Sequence, residues 1–320
     1  MTTTDVSDAL EHLKLAADVA GVRPPEFVLP EGREVVLRGM RFHYLDWGTT
    51  GKLPIVFLHG GALNAHTWDL VCLALRRDYH CLALDQRGHG NSEWSPEMDY
   101  RFEAYVGDLE AFVDHLALDR FALVGMSLGA VVTASYASRH SGRLAAAIII
   151  DAGPEPMISG AKRIRDFVAE TMEFGSMDEF VDRALAFNPR RDPRLLRRSL
   201  LYNLRRAPDG RWVRKNDTRH MVDGSIERLI ADASSHWADV SSIACPTLVV
   251  RGAESDVLSA DGATKLVESL PAGCGVTIPG AGHTVQGDNP RDLIAALREF
   301  LQGDRRIGGD PFGRPPGGDK

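Results

Sequence analysis

The sequence predicts an α/β protein: a mostly parallel central sheet covered by helices on both faces, with a helical cap inserted between the sixth and seventh core strands. Three observations carry this. Short, nearly continuous apolar runs, such as Phe121-Ala122-Leu123-Val124 and the stretch from Leu144 to Ile150, alternate with longer segments of helical spacing. Strands buried on both faces read that way, and parallel sheets are where they occur. The alternation breaks at Gly153-Pro154, gives way to a charged helical stretch, and resumes at Pro246. At 320 residues, 44% hydrophobic and 25% charged, the chain suffices for one large domain with an insertion.

In order along the chain, residues 1–28 form an N-terminal helical arm. Val6, Leu10, Leu13, Ala17 and Ala20 share a helical spacing, and Pro24-Pro25 stops it. The arm packs on the core's surface or on a second subunit, so a homodimer is one of two arrangements it allows. The core occupies 29–152 and 241–302. Glu34–Arg38 and Arg41–Asp46 open it as antiparallel strands turning at Gly39. Strands over 55–58, 80–84, 121–125 and 144–150 then alternate with helices over about 65–77, 101–117 and 128–140. The cap, 153–240, is helical except at Asp209-Gly210, a hairpin signal before Arg211-Trp212-Val213. Pro246–Gly252 and Val276–Pro279 are the last strands. The final helix starts with Asn289 as N-cap and Pro290 at its first position. The Gly- and Pro-rich tail, 303–320, has the composition of a disordered segment.

Chemistry concentrates at Gly125-Met126-Ser127-Leu128-Gly129, between a buried strand and a helix. A serine on a sharp strand-to-helix turn has its hydroxyl pushed clear of the backbone, and the flanking glycines give the turn room. The N–H groups that open the helix point at whatever the serine attacks. Asp256 lies just past the strand that begins at Pro246, and His283 follows Gly280-Ala281-Gly282 after the last strand. Upstream, Ile55-Val56-Phe57-Leu58 ends in His59-Gly60-Gly61, and Asp85-Gln86-Arg87-Gly88-His89-Gly90-Asn91-Ser92 follows the fourth strand.

With these landmarks, from about Arg33 to Leu301, the chain resembles the α/β-hydrolase superfamily, whose nucleophile, acid and histidine come in the order Ser, Asp or Glu, His. The resemblance implies Ser127 as nucleophile, His283 as general base and Asp256 as the acid that orients it. Asp151, at the end of the sixth strand, is the rival, because some members take their acid there. Glu254 lies nearer its strand than the usual position. The backbone N–H groups of Gly61 and Leu128 would form the oxyanion hole. His59 would brace that loop, and Asp85, Arg87 and His89 would be structural. His66, Trp68, Met126 and Trp212 are expected to line the substrate pocket, with His220 and Trp237 as further candidates. A serine at the elbow, where haloalkane dehalogenases and epoxide hydrolases carry aspartate, argues against both activities.

The activity implied is that of a serine hydrolase acting on a small or medium carboxylic ester. Lactone or amide hydrolysis and hydrolytic C–C cleavage of an anionic substrate use similar residues on this fold, and the superfamily also includes ligand receptors that retain a triad. Net charge is −7, yet from Arg183 to Arg219 there are 12 Lys/Arg against 3 Asp/Glu. That stretch is a solvated helical face or a guide for an anionic substrate, with Arg190, Arg194 and Arg197 or Arg198 converging on one face. An acidic chain without a recognition motif does not suggest nucleic acid. The scattered histidines suggest no metal and the glycine runs no dinucleotide, so no cofactor is expected. No apolar stretch approaches the roughly 20 residues needed to cross a bilayer. The polar start and four unclustered cysteines fit a cytoplasmic, disulfide-free enzyme with a small-molecule substrate.

Overall fold

The computed structural model describes residues 3–219, 235–237 and 240–303. Eleven strands lie among them: β1 (Glu31–Leu37), β2 (Met40–Asp46), β3 (Pro54–Leu58), β4 (His80–Leu84), β5 (Phe121–Met126), β6 (Leu144–Ile150), β7 (Glu173–Phe174), β8 (Leu204–Arg206), β9 (Trp212–Arg214), β10 (Thr247–Gly252) and β11 (Gly273–Ile278). Eight of them form one sheet, ordered β1-β2-β4-β3-β5-β6-β10-β11. β1 and β2 join antiparallel, and the strands from β4 onward run parallel. This is the expected α/β architecture.

Residue alternation explains why the central strands look uniformly apolar. Leu123 of β5, Leu58 of β3 and Ile149 of β6 enter the core on one face of the sheet. Their neighbours Val124, Phe57 and Ile150 enter the core on the other. A strand with helices on both sides exposes neither set. The helices are α1 (Thr3–Val19), α2 (Asp69–Leu75), α3 (Phe102–His115), α4 (Leu128–His140), α5 (Ile158–Glu170), α6 (Met177–Phe187), α7 (Pro193–Asn203), α8 (Ala260–Ser269), α9 (Val285–Asp288) and α10 (Pro290–Leu301). The segment expected as one helix from residue 65 begins as a 3₁₀ turn, Ala65–Trp68, and continues as α2. Asn289 caps α10 as its sequence suggests, accepting from the Asp292 N–H at 3.1 Å.

The N-terminal arm lies against its own chain. α1 packs on α2 and α7, with Leu13 and Ala17 fully buried in the core. Between β6 and β10 the cap helices α5, α6 and α7 surround a three-stranded sheet ordered β7-β9-β8. The ribbon predicted at Asp209-Gly210 is the β8–β9 pair. The cap has a small core of its own, in which Phe174, Phe180, Leu196 and Leu200 are buried. All four cysteines are free. No helix among the described residues is long and apolar enough to cross a membrane. His220 and nearly all of the glycine-rich tail lie outside the described residues.

Candidate active site

Ser127 stands at the C-terminal end of β5, where the sheet order changes direction: β3 and β4 extend to one side, β6 and β10 to the other. Open parallel sheets bind ligands at such switch points. The Ser127 backbone has φ 53° and ψ −114°, a strained conformation for a side-chain-bearing residue. Two hydrogen bonds and the start of a helix enforce it. The Ser127 N–H donates to the Ile150 carbonyl at 3.0 Å, the Gly129 N–H donates to the His59 carbonyl at 3.2 Å, and helix α4 starts at the next residue. The flanking glycines are sterically required. A Cβ on Gly125 would stand 2.0 Å from the Gly129 carbonyl oxygen, and one on Gly129 would stand 2.4 Å from that of Leu58.

His283 follows β11 and reaches the serine, its Nε2 lying 3.0 Å from Ser127 Oγ. Its Nδ1 lies 2.8 Å from Asp151 Oδ2. A carboxylate only accepts, so Nδ1 carries the ring proton and Nε2 is free to accept from the serine hydroxyl. Asp151 is fully buried at the end of β6, the strand beside β5, with Met126 in register with Ile150. Its Oδ1 accepts from the Gly252 N–H at 3.0 Å, and its Oδ2 accepts from Ser255 Oγ at 2.5 Å. Ser255 Oγ is itself fixed by the N–H groups of Val257 and Leu258.

The expected acid, Asp256, does not meet the histidine. Its carboxylate turns to the cap, where Arg163 of α5 holds it at 2.6 Å. The backbone dictates this. Gly160 of α5 packs so closely on the loop that a Cβ there would lie 1.9 Å from the Asp256 carbonyl oxygen. Arg163, one turn further along, then falls beside the carboxylate. Glu254 also faces the cap, paired with Arg190 at 3.0 Å. Asp151, the rival position, is therefore the carboxylate that meets His283 in the structure, and Asp256 is not.

The loop after β3 closes the other side. A Cβ on Gly60 would come within 3.3 Å of Ser127 Cβ, so the Gly60-Gly61 turn sits over the serine. His59 braces this loop from within. Its Nδ1 lies 2.8 Å from the Gly60 carbonyl, and its Nε2 accepts from the Gln86 N–H at 3.0 Å. Complete burial lowers its pKa and keeps it neutral, outweighing the nearby Asp85 charge. Asp85 is structural as well, accepting from the N–H groups of Ala65 and Asn91 and from His43. Arg87 ion-pairs with Asp108 at 2.5 Å, and the His89 ring bonds the Arg87 carbonyl.

Between the sheet and the cap lies a cavity of about 750 Å³ that contains Ser127 and His283. Met126 and Trp237 line it, as do Gly61 and Leu128. Three other expected wall residues do not. Trp68 is fully buried in the core against Phe57. His66 bonds Asp69 and stacks on Tyr202 at 3.6 Å, serving the cap joint. Trp212 lies in the cap sheet beneath Arg206. Among the walls that sequence reasoning missed are Val168, Phe180, Leu196 and Leu200 of the cap. Their helical spacing marked only a buried face, without saying what it covers.

The arginine-rich stretch is mostly paired. Arg191 meets Asp288 at 3.0 Å, Arg194 meets Asp192 at 2.7 Å, and Arg198 meets Asp69 at 2.5 Å. Arg197 pairs with Asp178. The convergence of Arg190, Arg194 and Arg197 or Arg198 on a substrate is thus not seen. They hold the cap to the core or to itself.

A model of the alpha/beta hydrolase family matches residues 55–297. Esterase Rv0045c from Mycobacterium tuberculosis is 32% identical over 316 residues, 94% of this chain and 99% of that protein. A crystal structure of that esterase superposes with a TM-score of 0.74, covering 92% of this chain and 98% of the other. A non-heme chloroperoxidase from Streptomyces lividans is 28% identical over 282 residues, 82% of this chain and 97% of that protein.

Proposed function

The chain belongs to the alpha/beta hydrolase family, and from that premise we propose that it is a serine hydrolase that cleaves a small or medium carboxylic ester, with Ser127, His283 and Asp151 as its triad. The observation that carries the reading is the continuous chain from Ser127 Oγ through His283 to the buried Asp151 carboxylate, at 3.0 and 2.8 Å. Such spacing is what proton transfer from the hydroxyl requires. The likeness along nearly the whole chain to a protein described as an esterase supports the choice of bond.

His283 takes the proton as Ser127 Oγ attacks the ester carbonyl carbon. Asp151 keeps the imidazole in the tautomer that accepts at Nε2 and stabilises the imidazolium. The tetrahedral oxyanion is received by the N–H groups of Leu128, which opens α4, and Gly61. Collapse returns the proton to the departing alkoxide, releases an alcohol and leaves an acyl-serine. Water, deprotonated by His283, then attacks the acyl carbon and releases the acid. The cavity of about 750 Å³ is within the range that encloses small ligands, so a substrate of modest size fits.

Release of 4-nitrophenol from a short 4-nitrophenyl ester tests this. Turnover should continue for many equivalents after any burst and disappear with Ser127→Ala. Release that stops at about one equivalent would instead indicate a ligand receptor that retains the triad.

A further inference from the structure

Arg214, at the end of β9, differs from every other arginine lining the cavity. Arg101, Arg163, Arg165, Arg190 and Arg191 each pair with a carboxylate within 3.0 Å. Arg214 pairs with none among the described residues. It is 7% exposed, and its bonds go to one neutral residue: Nε donates to the Thr171 carbonyl and Nη2 to Thr171 Oγ1, both at 2.7 Å. Phe180 and Phe167 present their ring faces, 4.8 and 5.7 Å from the guanidinium carbon. The Nη1 group has no acceptor among the described residues.

Burying a cation without a counter-ion is costly, and the two rings offset only part of that cost. Burial pushes its pKa down to about 10, which still leaves the group charged at neutral pH. The aromatic rings and Thr171 hold the guanidinium plane in place, and a fixed planar fork suits a carboxylate. A single guanidinium without a carboxylate partner among the described residues matches a monoanion.

The geometry points to Arg214 as the group that recognises a carboxylate on the substrate, so that the preferred ester carries an anionic end directed into the cap. This rests on the proposed hydrolase reading for the other end of the molecule, at Ser127. Val168, Phe180, Leu196 and Leu200, which share the cavity with both residues, would pack on the apolar part between.

The test compares 4-nitrophenyl hemi-esters of dicarboxylic acids of increasing length with their neutral methyl-capped counterparts. At the best length, kcat/KM should favour the hemi-ester by roughly 10–100-fold, the worth of a charge-assisted hydrogen bond. Arg214→Met should collapse that ratio and Arg214→Lys should keep part of it. A ratio unchanged in Arg214→Met, with both esters slowed alike, would make Arg214 a purely structural residue and overturn the proposal. Calorimetry on Ser127→Ala with an alkyl carboxylate and its amide reads the same preference without turnover. The carboxylate should bind roughly 10-fold tighter or more, and Arg214→Lys in that background should weaken it. Equal affinities would also overturn the proposal. If no ester is cleaved but the carboxylate still binds preferentially, the hydrolase reading fails and the carboxylate site stands. Turnover with no anion preference has the opposite meaning.

Discussion

The sheet and the cap meet across one cavity, yet they are held by different forces. On the sheet side, Ser127 and Asp151 are fixed by their own backbones. Each ends a strand buried on both faces, and each donates its N–H to the neighbouring strand, at 3.0 and 2.8 Å. On the cap side, the helices carry a small apolar core and reach the sheet domain through ion pairs: Arg163–Asp256, Arg190–Glu254, Arg191–Asp288 and Arg198–Asp69. Hydrogen-bonded backbone within a packed core keeps reacting atoms in register. Charged side chains at the end of long stems permit adjustment and respond to salt and pH. In the function proposed above, the chemistry sits on the half held by backbone bonds, and recognition of the substrate on the half held by side-chain pairs.

The comparison is tested most severely by Ser127→Ala, which removes one hydroxyl from the sheet side. Turnover should fall by roughly a million-fold while the thermal midpoint stays near that of the parent. Retention of a tenth of the activity would mean the nucleophile is elsewhere. Next comes the pair Asp151→Asn and Asp256→Asn. An amide at 151 cannot hold the imidazole in the right tautomer, so turnover should drop on the order of ten-thousand-fold. An amide at 256 only loosens a cap contact, and the loss should be roughly tenfold or less. Assay of both with one ester decides, and a larger loss at 256 would restore the acid expected just past the strand that begins at Pro246.

That reversal shows where a sequence stops being informative. The elbow is legible because its causes are local: an apolar strand, two glycines that no larger residue can replace, and a helix. His283 is legible for the same reason, in a glycine turn after a strand. The choice between Asp151 and Asp256 depends on facts with no local trace. One is that β6 lies beside β5, so that Asp151 ends level with the serine. The other is an arginine 93 positions away that captures Asp256. The cap arginines are ambiguous in the same manner. Their density allowed a solvated face or a guide for anions, and Arg198 finds its carboxylate 129 positions upstream. Arg214, the cavity-lining arginine without a carboxylate among the described residues, looks no different in sequence from those that are paired. Trp68 illustrates a simpler ambiguity, since an aromatic residue near a loop suits a pocket wall or a core equally well.

An intermediate effect is expected where the cap joint is itself buried. Arg198 and Asp69 have side chains only 10% and 2% exposed. Arg198→Met should leave Asp69 with His66 as its remaining side-chain partner and cost about 3 kcal/mol, read by urea unfolding. Burial alone would raise the Asp69 pKa, but the charges of His66 and Arg198 outweigh it and hold the group below its ordinary value. A depressed carboxylate stabilises the fold above its unfolded pKa of about 3.9 and loses that contribution as pH falls through the lower folded value. His59 acts at higher pH in the other half. Kept neutral by burial, it stabilises fully above about pH 6.5 and progressively less below. Melting curves should therefore show a first loss that begins below about pH 6.5, present in parent and Arg198→Met alike. A second loss, below about pH 4, should be smaller in Arg198→Met. A variant that matches the parent below pH 4 would remove the Arg198–Asp69 pair from the acid response.

The smallest effect belongs to Arg194→Gln, and its smallness is the point. Arg194 lies in the densest run of positive charge, and its side chain is 58% exposed. Its only carboxylate contact among the described residues is Asp192, two positions earlier, which also caps α7 through the Arg194 N–H. Solvent screens exposed pairs of this kind so that they contribute little, and the backbone cap survives the substitution. Arg194→Gln should thus leave the anionic-to-neutral ratio of kcat/KM as it is in the parent, where Arg214→Met collapses it. Both proteins lose one positive charge from the same region of the cap. If the ratio fell equally in the two, the preference would come from the general field of the basic stretch, and the difference between paired and unpaired arginines would have no functional weight. If only Arg214→Met changes it, recognition depends on one buried guanidinium, and the remaining arginines serve to keep the cap in place.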